Sequence, residues 1–348
     1  MSPSHELLAL LKGSRAEVEH WPEVLRLADE SRLLLPLWNV VDRDSLPPEI
    51  SEKLSNRALH RTLILARLTD QLAQLIELLG PNVMAYKGLT LGALAFGDAT
   101  NRMCGDLDLL VSADDYPAAV DKLLEDGFEF QVGTPPRCLL RLAYEVTLFH
   151  PERRVTVDLH RSFFSEAMPL ELERRTTVRV GGKEIPTLPP TELFVLLCVH
   201  GCKHCWRELR WVYDLVGLAR DQSLDWYAIH ALAREKGAVR AVSVGLELAR
   251  QLFGLKVTPL LRADERALEL AEESQVYLFG QRPGLRQQQS YQWRVFDTAR
   301  QRLRYLLVTL FRPHERDLYW LDLPKNLWYL YYPLRPVRVA WEQLKGMG

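Results

Sequence analysis

Apolar positions in the first 80 residues recur every three or four places, through Leu7, Leu8, Leu10 and Leu11 and later through Leu59, Leu63, Leu65, Leu68, Leu72, Leu75, Ile76 and Leu79. That period lays a stripe along a helix, so residues 1–80 are expected to form a helical lead-in. From Asn82 the rhythm shortens to two. Asn82–Lys87, Asp106–Val111, Phe128–Val132, Glu145–His150 and Val155–His160 carry valines, aromatics and alternating polarity, the mark of half-buried strands. Between the second and third of these, Asp114–Asp126 predicts a helix on Ala118, Ala119, Leu123 and Leu124. Thr176–Val180 and Lys183–Leu188 flank Gly181-Gly182, a hairpin turn signal.

After Pro189 the helical period returns. It predicts helices opening on Leu193, Leu196, Leu197 and His200 and on Trp211, Leu215, Val216 and Leu218, then over Trp226–Lys236, Val239–Leu252, Asp264–Phe279 and Tyr291–Leu310. The tail from Arg312 to Trp341 is rich in Pro, Trp and Tyr and shows no period. Its prolines at 324, 333 and 336 are expected to break any long amphipathic helix, leaving an aromatic strap folded over the helical domain. The expected fold class is therefore α+β: a helical region over 1–80, a mixed-sheet core over 81–188 and a helical domain with an aromatic tail over 189–348.

Composition narrows the field. The chain has 348 residues, 47% hydrophobic and 26% charged, as an ordinary globular protein does. Lys and Arg total 44 against 45 Asp and Glu, a net charge of -1, which argues against nucleic acid as a partner. No uncharged apolar run reaches the roughly 18 residues of a membrane span. Met1–Gly13 lacks the basic opening and cleavage site of a signal peptide. Five cysteines are too few for a secreted disulfide framework, and a cytoplasmic location is expected.

The candidate chemistry lies in Gly105-Asp106-Leu107-Asp108-Leu109-Leu110-Val111. Alternation puts Asp106 and Asp108 on one face of the strand and Leu107 and Leu109 on the other. Two carboxylates aimed at one small volume repel unless a cation neutralises them, and Mg²⁺ prefers oxygen ligands shared with substrate phosphates. Val155-Thr156-Val157-Asp158-Leu159-His160 offers a third carboxylate, Asp158, as general base or ligand of a second metal. Upstream, Lys87-Gly88 sits where a strand turns into the helical pattern of Leu91, Ala93, Leu94 and Ala95. A glycine there lets phosphate approach backbone N–H groups and the positive helix end, and Lys87 and Arg102 would add charge-assisted contacts to a triphosphate. A solvated Asp-x-Asp edge is the bland reading of the pair. The joint order of Lys-Gly turn, Arg-x-x-x-Asp-x-Asp and Val-x-Val-Asp-x-His favours a site.

In these residues the chain resembles the nucleotidyltransferase superfamily of the DNA polymerase beta type, and more closely the bacterial nucleotidyltransferase-family proteins of uncharacterised function. The resemblance runs through Lys87-Gly88, Arg102, Gly105 to Val111 and Asp158-Leu159-His160. It continues through His200, His204, Trp206, Leu209, Trp211 and Asp214, and through Arg312-Pro313, Asp317, Pro324 and Tyr331 to Pro336. It implies a mixed-sheet catalytic core with Asp106, Asp108 and Asp158 as metal-binding carboxylates. It further implies two Mg²⁺ ions, or Mn²⁺ in their place, and a nucleoside triphosphate as co-substrate. Gly88-Leu89 stands where the superfamily has Gly-Ser or Gly-Gly, so Thr90, a main-chain N–H or Lys87 would replace the serine contact.

Cys202 and Cys205 have the Cys-x-x-Cys spacing of a zinc site, near His200 and His204. No second pair completes it, and the helical pattern favours buried packing. Lys203, His204 and Arg207 would share a helix end facing the nucleotide or the acceptor, or would pack against Trp206 and Trp211. The expected activity is transfer of a nucleoside monophosphate to a hydroxyl or phosphate of a small molecule or modified peptide. The alternatives are nucleotidylylation of a protein side chain and a non-catalytic nucleotide-binding scaffold. Neither the base nor the acceptor is readable from the residues.

Overall fold

The computed structural model describes residues 2–14, 17–131, 140, 144–162, 174–220, 224–280, 282–313, 317, 320–321 and 323–345. In chain order the regular elements begin with α1 (Pro3–Leu11), α2 (Trp21–Glu30), α3 (Leu34–Val40) and α4 (Pro48–Leu79). There follow β1 (Met84–Ala85), α5 (Gly88–Phe96), β2 (Leu107–Leu110), α6 (Tyr116–Glu125), β3 (Glu129–Phe130), β4 (Glu145–His150) and β5 (Val155–His160). The hairpin β6 (Thr176–Val180) and β7 (Lys183–Thr187) precedes α7 (Pro190–Lys203), α8 (Leu209–Arg220), α9 (Trp226–Lys236) and α10 (Val239–Phe253). The last elements are α11 (Glu265–Phe279), α12 (Leu285–Val295), α13 (Ala299–Phe311) and α14 (Tyr331–Lys345). The chain is α+β, with a five-stranded sheet in the order β1-β2-β5-β4-β3 and a separate two-stranded sheet.

The strands and helices follow the alternation and periods of the sequence closely, with instructive exceptions. β1 and β3 shrink to two residues each, and Val132, expected at the end of β3, lies outside the described residues. In α4 the buried stripe is Leu54, Ala58, Leu65, Leu68, Leu72 and Leu75, whereas Leu59 and Leu63 point to solvent. The expected helix over Tyr291–Leu310 is instead two helices. Thr298 accepts from the N–H of Gln301, whose side chain returns the bond, and this capping box starts a new helix at Ala299. The tail is not a strap without period: α14 runs through Pro336. Pro333 falls in the first turn, where a missing N–H costs nothing, so only one intrahelical bond is forfeited at Pro336.

Contacts divide the chain into two compact units that cut across the expected three-part division, because packing rather than chain order defines them. One comprises residues 1–108 and 173–297, the other 109–172 and 298–348. In the first, α7 is apolar all round: Leu193, Phe194, Val195, Leu196, Leu197 and Cys198 are buried, and α8, α9, α10 and α12 pack against it. The β6–β7 turn uses positive φ at Gly181 and Gly182, as the Gly-Gly signal requires.

In the second unit β4 pairs antiparallel with β5, and Thr147 stands opposite Asp158. Val155, Val157 and Leu159 are buried, while Thr156 and Asp158 face the half-exposed side. Arg153 holds Asp126 through two nitrogens at 2.7 and 3.0 Å, tying the β4–β5 turn to the end of α6. Val111 donates to the carbonyl of His160 at 2.9 Å, joining the end of β2 to β5.

Candidate active site

The site begins at the turn from β1 into α5. Tyr86 donates its N–H to the carbonyl of Asp108 at 3.4 Å, so the turn grows directly from the strand that carries the carboxylates. Lys87 is extended and Gly88 adopts φ +54, a left-handed conformation that disfavours any side chain. A Cβ at Gly88 would stand 3.4 Å from the Cys104 sulfur and 3.6 Å from the Asp106 carbonyl. The Lys-Gly turn therefore lies against the backbone that leads into Asp106. Thr90 is fully buried, and its hydroxyl donates to the Lys87 carbonyl at 3.0 Å. It braces the turn and does not present its hydroxyl to solvent, unlike the phosphate contact expected of it.

Asp106 and Asp108 are half-buried on either side of Leu107, which is buried with Leu109 in the core. The Lys87 ammonium sits 3.5 Å from the Asp108 carboxylate, with both side chains mostly enclosed. Cys104, two residues before Asp106, is a neutral thiol. Burial pushes it up to about 12, and the Asp106 and Asp108 charges add to that against the opposing pull of Arg102 and Arg210. Gly105 is exposed, and a Cβ there would meet nothing within 4 Å, so space does not demand glycine at this position.

Arg102 departs from its expected place on the triphosphate. It is 4% exposed and grips Asp214 of α8 with Nε–Oδ1 at 2.8 Å and a second bond to Oδ2 at 2.9 Å. Burial alone would weaken its charge, but the Asp214 carboxylate outweighs that and holds the guanidinium firmly protonated. Arg210, one turn before Asp214, donates to the Met103 carbonyl at 3.0 Å. Two charged residues of α8 thus clamp the segment that leads into Asp106. Sequence reasoning noted Asp214 without this role and passed over Arg210. Their signal is that they interrupt Leu209–Leu218, in which every residue is buried.

The end of α7 supplies a basic rim. The His200 and His204 rings lie 4.8 Å apart, and both lie against Trp211 at 5.1 and 5.5 Å. Burial pushes His204 down to about 3, aided by Lys203, Arg207 and Lys87, and it pushes His200 well down too, aided first by Lys87. Both imidazoles are neutral near pH 7. That Lys87 acts on both rings brings the Lys-Gly turn and the expected pair Lys203 and His204 into one electrostatic neighbourhood. The rim is rigidly built: Cys205 and Trp206 both have φ +53, and the buried Trp206 indole donates to Cys202 at 3.3 Å. A Cβ at Gly201 would meet that indole at 2.5 Å, so only glycine fits beneath it.

Burial raises the Cys202 and Cys205 thiols to about 12, and the Cys202 sulfur accepts the Trp206 indole N–H. Among the described residues, the ligand atoms that converge in a group of three belong to Glu6, Glu19 and His20. There the buried Glu6 carboxylate accepts the N–H groups of Glu19 and His20 at 3.3 and 3.2 Å, holding the chain ahead of α2. Asp158 belongs to the second unit, where the Thr147 hydroxyl donates to it at 2.6 Å.

The structure thus gathers Lys87, Gly88, Asp106 and Asp108, with Lys203 and His204 at their rim, and turns Thr90 and Arg102 to support. A glycine turn at a helix start beside two carboxylates and an ammonium is suited to polyphosphate and cation together. No curated protein matches the chain. The family model described as uncharacterised nucleotidyltransferase matches residues 17–254, a span that includes every residue of this site. The chain belongs to that family and is a nucleotidyltransferase.

Proposed function

We propose that the enzyme transfers a nucleoside monophosphate from a nucleoside triphosphate to a hydroxyl or phosphate of a small molecule or modified peptide, at a centre built on Asp106 and Asp108. The observation that carries this reading is the Lys87 ammonium 3.5 Å from Asp108, at a Gly88 turn lying against Asp106. The donor set fits Mg²⁺: two half-buried carboxylates, one at each side of Leu107, with oxygen as the sole ligand type. Bound there, Mg²⁺ supplies charge neutralisation and orientation at the phosphates, with Mn²⁺ as a substitute. Asp158 is proposed as the third carboxylate, on the strength of its Val-x-Val-Asp-x-His pattern and the family resemblance.

In the proposed reaction the acceptor oxygen forms a bond to the α-phosphorus. The bond from that phosphorus to the bridging oxygen breaks, and pyrophosphate leaves with the electron pair. Lys87 and the first N–H groups of α5 hold the phosphates, and Lys203 and Arg207 offer further positive charge as the leaving group develops. Asp158 takes the proton of an acceptor hydroxyl. Near-neutral net charge gives little attraction for a nucleic-acid acceptor. The free thiols Cys104, Cys198, Cys202 and Cys205 suit a reducing cytoplasm.

The test is incubation with each nucleoside triphosphate labelled at the α-phosphate, Mg²⁺ and pooled small-molecule or peptide acceptors. Label on a small acceptor, lost in Asp106→Asn, supports the reading. Label on a protein, including the enzyme itself, supports protein nucleotidylylation instead. Binding without transfer to any acceptor would leave a nucleotide-binding scaffold.

A further inference from the structure

Three aromatic side chains meet where α7 ends, and the proposed transfer gives them no part. The His204 ring lies 5.5 Å from the Trp211 ring and 4.8 Å from that of His200, which stands T-shaped to Trp211 at 5.1 Å. Trp211 is 5% exposed and His204 only half-buried, so the indole backs an imidazole that in part reaches solvent. The cluster stands beside the Lys87-Gly88 turn. α8, which carries Trp211, packs against α7 and against α5, which begins at Gly88, and the Lys87 ammonium acts on both imidazoles. Its frame is rigid, held by the Trp206 indole over Gly201 and by the left-handed backbone of Cys205 and Trp206.

We infer that His204, backed by Trp211, seats the nucleobase of the triphosphate. This seat rests on the proposed transfer, which holds the phosphates at Lys87 and the first N–H groups of α5. A base stands one ribose away from its phosphates, so its seat belongs beside that turn and not on it. Charge separates the two kinds of contact. Lys87, Lys203 and Arg207 are cations suited to phosphate, while burial and the neighbouring cations keep both imidazoles neutral. A neutral imidazole adds little attraction for a phosphate. It offers a flat face and, on its edge, one donor and one acceptor. Those are the groups that meet a base, which stacks on aromatic rings and pairs through donors and acceptors of its own. Every base has such a face, so this contact supplies affinity before it supplies choice among bases.

The experiment is calorimetric titration, in the presence of Mg²⁺, of the four nucleoside triphosphates and of inorganic tripolyphosphate, which carries the phosphates without base or ribose. The proteins are the full-length wild type, His204→Ala and His204→Phe. His204→Ala is expected to bind the preferred nucleoside triphosphate roughly tenfold or more weakly than the wild type does and to bind tripolyphosphate as the wild type does. His204→Phe keeps a ring without its nitrogens, so it should recover most of the lost affinity. A thermal melt shows that each variant is folded; if His204→Ala melts early, His204→Gln, which keeps bulk and polarity but removes the ring, is read in its place. Equal nucleotide affinity in the wild type and the ring-less variant overturns the inference. So does an equal loss of tripolyphosphate, which would make His204 a phosphate contact. Binding that Asp106→Asn/Asp108→Asn abolishes and His204→Ala leaves untouched overturns the base seat alone, whereas a wild type that binds no nucleoside triphosphate overturns the seat and the transfer reading together.

Discussion

Leu107 and Leu109 are drawn into the core while Asp106 and Asp108 stay half-buried, and the short range of that alternation is why the pair stands out as a candidate in the sequence. Asp106→Asn and Asp108→Asn are each expected to lower transfer by roughly a hundredfold or more. The thermal midpoint of Asp106→Asn should stay unchanged or rise slightly, because one of two like charges is removed, whereas Asp108→Asn also takes the counter-charge from the enclosed Lys87 and should melt lower. Steady-state rates with melting curves check both. Arg102 teaches the opposite lesson: its partner Asp214 is 112 positions away, and no local pattern shows that its charge is already satisfied. His204 gives a pH signature. Its folded pKa of about 3 lies below the ordinary 6.5, so between those values the unfolded chain takes up a proton that the folded chain refuses. Stability is therefore full above about pH 6.5 and declines as pH falls through that window. Denaturant midpoints against pH should show this slope, and His204→Gln should flatten it; an unchanged slope would mean that other groups carry it.

Elements were legible where one face is buried and a cap stands close by. The hairpin at Gly181-Gly182 and the helix over Trp226–Lys236 match their expected bounds, give or take a residue. The break between α12 and α13 was missed because the apolar period continues across it, although Thr298 and Gln301 are the capping signal that overrides it. α14 is hidden in the sequence because Pro333 and Pro336 read as helix breakers, whereas their places near its start make them tolerable. The most consequential element is α8, whose Arg210 and Asp214 clamp the segment entering β2. Asp214→Asn leaves a buried guanidinium without its counter-charge and is expected to cost roughly 3–5 kcal/mol by chemical denaturation. Nucleotide transfer should fall with it. Arg102→Lys keeps the charge but loses the two-pronged grip, so it should fall between wild type and Asp214→Asn. If Asp214→Asn left both stability and transfer untouched, α8 would not position the site.

For the whole molecule, charge is nearly balanced in total and uneven along the chain: +5 over residues 298–348 within a total of -1 leaves -6 for the rest. The fold class was legible from the change of period at Asn82 and its return at Pro189. The grouping into two compact units was not, because it depends on contacts between segments far apart in sequence. The proposed transfer requires that a triphosphate and a divalent cation meet at Asp106 and Asp108. Calorimetric titration of each nucleoside triphosphate, with and without Mg²⁺, into the wild type and an Asp106→Asn/Asp108→Asn variant tests it most directly. Mg²⁺-dependent binding of at least one triphosphate by the wild type, lost in the variant, is the expected result. Equal binding by both proteins, or binding indifferent to Mg²⁺, would contradict it.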